Sequence, residues 1–543
     1  MKYIKTLLAS SLLLAACQIY GMDTSLSKMS AAEMERLAQA IEPGDCKTLN
    51  FVGDLYFAKS QKTMDLQEKD AFLKKAEELY LKAAQNNNPV AFFNLGNCYS
   101  IYSRIASTNE KKNCCMLIAM VWFRLAADQG LAHAQTGLGG AYYEKSKTAL
   151  TPESEEILFE LAMYWTLKAI AQNDKIAATN AGVFNNEKSK KTENLDEKEK
   201  YEDKAIQYLT NASQLGHKGA ALIIAAIYLE KSKRAGADGV TRSAPMLYLD
   251  QAIDWYRRAL EKGGLGALGL GACYYEKSLL TIGISEKIEL LDKALLWGKR
   301  GVVEENYDPR AVTNVGLAYL RKSEIVCDSN DKNINLQEAI KCLLVAAKKG
   351  NREAQSALGS TFYGMALEAN NETASKYLDQ AIDWCKRALG QIIDDKKKMG
   401  KDYNCFGNCL FLISRLTKVP QEEKTFLEQA AGYFEEAIKY KCEEAKNNLG
   451  ACWFKRSAIE ADPLEKRKYE KRAKHYLKQS KEEGLLLAQM NLNNVRTITD
   501  VCIRCREMAK KLCGNCKVVR YCTAECQRDD WAEHQLVCNK DSV

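Results

Sequence analysis

Ala252-Ile253-Asp254-Trp255-Tyr256-Arg257-Arg258-Ala259, followed a short turn later by Leu270-Gly271-Ala272-Cys273-Tyr274-Tyr275-Glu276-Lys277-Ser278, is the stretch that decides the fold. Ala252, Trp255 and Ala259 stand at i, i+3 and i+7, so a helix carries them on one face as a small–aromatic–small stripe. In the second part Gly271 precedes Tyr274 by three residues, and Glu276-Lys277-Ser278 closes the run. Neither segment alternates with period two, and neither is long enough to bury its own stripe.

Working outward, the same stretch returns along the chain. The small residue recurs at Ala76, Ala119, Ala162, Ala205, Ala252, Ala294, Ala339, Ala381, Ala430 and Ala473, at intervals of 42 to 49 residues. Three places later stand Leu79, Trp122, Trp165, Tyr208, Trp255, Trp297, Cys342, Trp384, Tyr433 and Tyr476, which absorb five of the seven tryptophans. A second column runs Gly53, Gly96, Gly139, Gly182, Gly271, Gly316, Gly359, Gly407 and Gly450, with Ala226 read as filling the gap. Glycine inside a helix costs about 1 kcal/mol against alanine. Its return at one position therefore predicts helices that approach too closely for a side chain. The tryptophan column reads as core, because helical spacing already accounts for it. One repeat cannot bury its stripe alone, so neighbours must stack. Charged loops of variable length absorb the differences in interval.

Leu-Gly-x-x-Tyr followed by Ala-x-x-Trp-x-x-x-Ala resembles the SEL-like repeat, a longer relative of the tetratricopeptide repeat, over residues 50–495. The resemblance implies an all-α fold: a right-handed solenoid of about ten helix pairs that offers a groove to protein partners. The chain departs from the family's pattern between helices, where charged segments replace the usual Gly-x-Gly-Val turn.

Composition agrees and narrows the function. With 46% hydrophobic and 27% charged residues the chain is globular, and seven prolines leave long helices uninterrupted. A net charge of +8 over 543 residues is too weak to argue for nucleic acid. Gly264-Leu265-Gly266-Ala267-Leu268-Gly269 matches a dinucleotide-binding pattern, but the preceding strand and βαβ unit that the motif needs are missing. Cys98, Cys273, Cys409 and Cys452 stand two places after a column glycine, where other copies have Ala141 or Ala318, so they read as small apolar core residues. Cys405 and Cys409 form an i, i+4 pair, and two ligands are too few for structural zinc. Outside the last 42 residues the histidines are His133, His217 and His475, with no nucleophile motif near them, which argues against an enzyme.

The C-terminal tail is different. Cys502-x2-Cys505-x7-Cys513-x2-Cys516-x5-Cys522-x3-Cys526-x7-His534-x3-Cys538 supplies eight ligands, enough for two closed tetrahedral zinc sites. An odd seven cysteines with a positioned histidine suit metal better than disulfides. Trp531 and Leu536 supply a small apolar plug, and so short a segment has little core. Metal must supply its stability, about 10–16 kcal/mol in comparable finger peptides. The pattern resembles the MYND finger over residues 502–538, including Tyr521 before Cys522, Gln527 after Cys526, and Trp531 ahead of His534. That resemblance implies interleaved pairing: Cys502, Cys505, Cys522 and Cys526 on one zinc, Cys513, Cys516, His534 and Cys538 on the other. It also implies docking of short proline-containing peptides. Residues 502–543 carry eight basic and six acidic side chains, too even a balance to favour DNA.

At the other end, Lys2 and Lys5 precede an apolar run from Leu7 to Ala16, which fits an export signal over residues 1–21. Leu14-Ala15-Ala16-Cys17 resembles a bacterial lipoprotein box, with Cys17 as the lipid-bearing, membrane-attaching residue; cleavage after Gly21 is the alternative. The expected layout continues with an N-terminal segment 22–49, repeats 50–495, the finger 502–538 and a tail 539–543. The expected function is a zinc-binding scaffold for protein partners. Two alternatives stay open: a nucleic-acid-binding regulator acting through the finger, and an enzyme with its site hidden in the repeats. Export into an oxidising space conflicts with seven zinc thiolates. A factor sent by an intracellular bacterium into its host would reconcile them, and a cytoplasmic scaffold is the alternative.

Overall fold

The computed structural model describes residues 30–41, 45–237, 242–263, 265–304, 306–391 and 396–483, and in the C-terminal segment residues 491, 511–512, 520–521 and 528. The segment expected as an export signal, Cys17 and all eight expected zinc ligands lie outside the described residues. The fold is all-α, with twenty-one helices among the described residues. A leading helix α1 (Ala31–Ala40) precedes twenty that alternate as first and second members of ten repeats. The chain forms two compact units, Met1–Cys273 and Tyr274–Val543.

In the first unit the pairs are α2 (Cys46–Lys62) with α3 (Leu66–Ala84), α4 (Pro89–Ile105) with α5 (Asn109–Asp128), and α6 (Ala132–Ser146) with α7 (Pro152–Ile170). Then follow α8 (Lys175–Lys191) with α9 (Leu195–Gln214) and α10 (Ala220–Ala237) with α11 (Ser243–Glu261). Helix α12 (Ala267–Leu280) spans the division between the units, and α13 (Ile284–Glu304) opens the second. There the pairs are α14 (Pro309–Ile325) with α15 (Ser329–Lys348), α16 (Arg352–Glu368) with α17 (Asn371–Leu389), α18 (Lys396–Leu416) with α19 (Pro420–Lys439), and α20 (Glu443–Ala458) with α21 (Pro463–Glu482). The two helices of each of these nine pairs pack most closely on each other, and first helices also touch the first helix of the next repeat within a unit.

Helix starts are set locally. Asp45, Asp65, Asn88, Thr108, Asn194, Asp328 and Asp462 each cap a first turn with a side-chain oxygen. Second helices end on left-handed residues: Asn87 (φ 55°), Gly130 (87°), Asn173 (61°), Gly216 (83°), Gly350 (85°) and, unusually, Lys441 (59°). These supply the turn between repeats that replaces the family's Gly-x-Gly-Val.

The core follows the two columns with one shift. The column alanines are buried, and the residue that meets the column glycine stands four places after the alanine, not three. A Cβ on Gly53 would lie 2.5 Å from the Tyr80 ring, on Gly96 2.4 Å from Phe123, on Gly182 2.4 Å from Leu209, and on Gly450 2.6 Å from Leu477. These wedge residues are almost wholly enclosed. The tryptophan column, expected as core, divides. Trp165 and Trp384 are buried, whereas Trp122, Trp255 and Trp297 are half-buried. A cation covers several of the rings, with Arg258 4.8 Å from Trp255, Arg300 5.5 Å from Trp297 and Arg387 4.9 Å from Trp384. At Trp255 and Trp297 the column lies at the rim of the pair, where the indole packs inward and meets a guanidinium on its outer side.

A second correction is one of register. Ala226 is exposed and Ala225 is buried, so Ala225 is the true column residue of the fifth repeat. Ser232, seven places on, confirms the frame. Buried serines stand seven after the column glycine at Ser60, Ser103, Ser146, Ser189, Ser278, Ser323, Ser414 and Ser457. Most satisfy their hydroxyls by donating three residues back, as Ser146 does to the Tyr143 carbonyl at 2.7 Å. This is the reason for the serine in the Glu-Lys-Ser punctuation.

Candidate functional site

The expected metal site is approached through the one piece of it that is described. Lys511–Leu512 and Arg520–Tyr521 form a two-stranded antiparallel ladder, with Lys511 opposite Tyr521 and Leu512 opposite Arg520. The register sets the residue before Cys513 beside the strand that runs up to Cys522. A paired hairpin at that place suits a zinc knuckle, and a donor set of seven thiols and one imidazole suits zinc.

Among the described residues no group of three or more His, Cys, Asp or Glu side chains is arranged to hold a metal ion. The histidines outside the tail are not brought together. His133 lies in α6, His217 precedes α10, and His475 lies in α21. His133 Nδ1 is 2.7 Å from Asp174 Oδ2, and Thr136 Oγ1 donates to the same oxygen at 3.1 Å. Asp174 is the N-cap of α8. Burial alone would raise its carboxyl, but the Ala177 amide, His133, the Ile176 amide and Thr136 outweigh that and hold it below the usual carboxylate range. The pair braces a helix start.

The Gly264–Gly269 pattern resolves as packing. Gly269 sits inside α12, and a Cβ there would lie 2.2 Å from the Tyr256 ring. Cys98, Cys273, Cys409 and Cys452 are fully enclosed, as a small apolar position requires.

Sequence reasoning missed a polar face in the second unit. First helices α16, α18 and α20 border a pocket of about 490 Å³ lined by Ser360, Tyr363, Lys401, Asn404, Cys405, Asn408, Glu444, Asn447 and Asn448. Its asparagines form a chain. Asn448 Nδ2 donates to Asn404 Oδ1 at 3.0 Å and to Asn408 Oδ1 at 3.1 Å, and Asn491 Nδ2 donates to Asn447 Oδ1 at 2.9 Å. The available signal was position: Asn404 and Asn447 each stand three before a column glycine, as Asn50 does. A larger pocket of about 810 Å³ sets Glu428 and Glu435 of α19 against Lys468, Lys471 and Arg472 of α21, with Trp453 between.

Fold and site together define the class: a helical-repeat protein with a C-terminal finger of the MYND type. Residues 502–538 match the family model of the MYND finger. The same part of the chain is similar to the Zinc finger MYND domain-containing protein 10 homolog of Drosophila melanogaster, 51% identical over 39 residues, 7% of this chain and 9% of that protein. Protein CBFA2T2 of Xenopus laevis is 26% identical over 120 residues, 20% of each chain. The matches thus span between 9% and 20% of these relatives. Among solved structures, the chain is similar to c5321 of uropathogenic Escherichia coli, described as displaying an SLR fold, at 16% identity, TM-score 0.34, covering 87% of this chain and 94% of that one. It is also similar to a Sel1 repeat protein of Oxalobacter formigenes, at 21% identity, TM-score 0.36, covering 67% and 88%. The repeat architecture stands on the helix-pair packing described above.

Proposed function

We propose that this protein is a zinc-binding interaction scaffold with two recognition surfaces, the asparagine-lined face of α16, α18 and α20 and the finger at 502–538. The asparagine chain carries the reading. Each side-chain amide offers N–H donors and a carbonyl acceptor, the same kinds of group as the N–H and C=O of a peptide backbone. Asn448 donates to the side-chain oxygens of both Asn404 and Asn408, and an extended peptide laid across them would take over those bonds. Two zinc ions would be held by Cys502, Cys505, Cys522 and Cys526 and by Cys513, Cys516, His534 and Cys538. Closed shells of four protein ligands leave no position for an activated water, so the metals would support structure.

The test compares the full zinc-loaded chain with Asn404→Ala/Asn448→Ala and with Cys513→Ser in quantitative affinity capture. Partners lost only with the first variant use the repeats; partners lost only with the second use the finger. Retention of every partner by both variants would refute this assignment of surfaces. Elemental analysis of protein never exposed to chelator should find two zinc ions per chain, and one or none would sink the eight-ligand set. Export rests on Lys2, Lys5, the Leu7–Ala16 run and Leu-Ala-Ala before Cys17. Mass spectrometry of the mature terminus separates a lipid-bearing Cys17 from a Met22 start and from an unprocessed, cytoplasmic chain. Delivery into a host cell is the extension that lets the finger work in a reducing compartment.

A further inference from the structure

Among the described cysteines outside the small-residue column, Cys385 and Cys405 are brought together. Cys385 is a wedge residue of α17, at the position where other repeats carry Tyr80, Phe123, Thr166, Leu209 or Phe434, and Cys405 stands two before column Gly407, where others carry Asn94, Gly137, Gly269 or Asn448. The repeat register brings these two positions together. Phe123 meets Gly137 and Tyr256 meets Gly269 across the same step. That step places Cys385 Sγ 3.6 Å from Cys405 Sγ. Ser360 Oγ lies 3.7 Å from the Cys405 sulfur. Cys405 is half-buried and lines the 490 Å³ pocket beside Lys401, whereas Cys385 is enclosed at 1% exposure.

We propose that Cys405 and Cys385 form a hydroperoxide-oxidisable dithiol, a modification site with Cys405 as the attacking thiol and Cys385 as the resolving one. In the first step the Cys405 thiolate attacks the peroxide oxygen. The O–O bond breaks, Cys405 becomes a sulfenic acid, and hydroxide (or alkoxide) leaves and takes a proton. In the second step the Cys385 sulfur attacks the sulfenic sulfur, the S–OH bond breaks, and water leaves with the Cys385 proton. The sum is two thiols and one hydroperoxide giving one disulfide, one water and one further water or alcohol.

The surroundings favour this division of roles. Cys385 donates its proton toward Cys405, and with donation from Cys409 and Ser360 this holds the Cys405 thiol below its ordinary range against the opposing effect of burial. Cys385, having spent its proton on the Cys405 sulfur, is pushed well up. Closing the sulfurs to about 2.05 Å requires small rotations of both side chains. The bond would tie α17 to α18, and so the eighth repeat to the ninth. Neither the zinc finger nor the partner-binding reading enters this argument.

The experiment treats the full zinc-loaded chain with limiting hydrogen peroxide, blocks the remaining thiols, and maps tryptic peptides by mass spectrometry. The expected product joins the Cys385 peptide to the Cys405 peptide. It should form several-fold faster than oxidation at the exposed Cys114 and Cys327. About thirty-fold is the ceiling, since an ordinary thiol is only a few per cent ionised near neutrality. In Cys385→Ser, a 1,3-dione should trap the sulfenic acid at Cys405. A Cys405–Cys409 link in place of the joined peptides overturns the proposal. So does oxidation of Cys114 and Cys327 with no joined peptide, or a dione adduct at Cys405 that forms no faster than at Cys114.

Discussion

Gly139 and Gly140 are neighbours in α6, and alanine at the two positions should move stability in opposite directions. A Cβ on Gly139 would lie 2.3 Å from Thr166 Oγ1 and 3.0 Å from the Ala162 carbonyl oxygen of α7. The second obstacle is backbone and cannot swing aside. The first is a hydroxyl already donating to that same carbonyl at 2.7 Å, and displacing it breaks the bond. Overpacking of this kind costs about 1–3 kcal/mol, and the lost hydrogen bond about 0.5–1.5 kcal/mol more. The better helix propensity of alanine returns about 1 kcal/mol. Gly139→Ala should therefore lose roughly 1–3 kcal/mol net. Gly140 has nothing within 4 Å of its would-be Cβ, so Gly140→Ala should gain about 0.5–1 kcal/mol. A repeat array need not unfold as one unit, so the measurement is amide hydrogen exchange read across α6 and α7. A gain at Gly139, or equal shifts at both sites, would refute the close-approach account of the glycine column.

Other expectations follow from the same packing. Tyr256→Ala should cost about 3–5 kcal/mol as a buried aromatic wedge, and Trp255→Ala distinctly less because its indole is half-buried beneath Arg258; equal losses in denaturant melts would contradict the rim placement. Lys441→Gly should stabilise by about 1 kcal/mol by relieving a left-handed backbone at φ 59°, whereas Gly130→Ala at φ 87° should lose a similar amount. Asp174→Ala should lower the stability of α8 by about 1–2 kcal/mol near neutrality. Because the folded Asp174 carboxyl is depressed, its contribution is complete above the unfolded value of about 3.9 and fades as pH falls through the folded one. The deficit of the variant should therefore shrink below about pH 4 in exchange or melting experiments.

The repeat was legible because one packing problem is solved the same way ten times, and a residue type that recurs at fixed spacing stands out. The wedge was not legible because it recurs as a place without recurring as a type. Tyr80, Phe123, Thr166, Leu209 and Cys385 share an enclosed position but no chemistry. The tryptophan column reads as core, which holds at Trp165 and Trp384, while Trp122, Trp255 and Trp297 are half-buried, so a recurring type does not mean one depth of burial. Adjacent alanines at 225 and 226 gave a residue-type reading nothing to choose between, although Ser232 would have fixed the frame. The turn between repeats was present as Asn87, Gly130, Asn173 and Gly216, spaced 43 residues apart, but it is carried by one backbone angle and not by a motif. The eight ligands are legible from their spacing and the kind of finger from a resemblance, and the ladder at Lys511–Leu512 and Arg520–Tyr521 adds a register that neither gives.

The wedge at Phe123 presses on two glycines at once, Gly96 in its own repeat and Gly137 in the next, at 2.4 Å and 2.9 Å from their would-be Cβ atoms. The repeats are therefore not exchangeable parts. A unit moved along the chain, or duplicated beside itself, brings its wedge against a neighbour that lacks the matching gap. The junctions differ in this: Phe123 and Tyr256 are followed by Gly137 and Gly269, which their rings press on, whereas Tyr80, Thr166 and Phe434 are followed by Asn94, Asn180 and Asn448 at that place. Shuffling that sets Phe123 or Tyr256 before a repeat with a side chain at that place would fail at that junction.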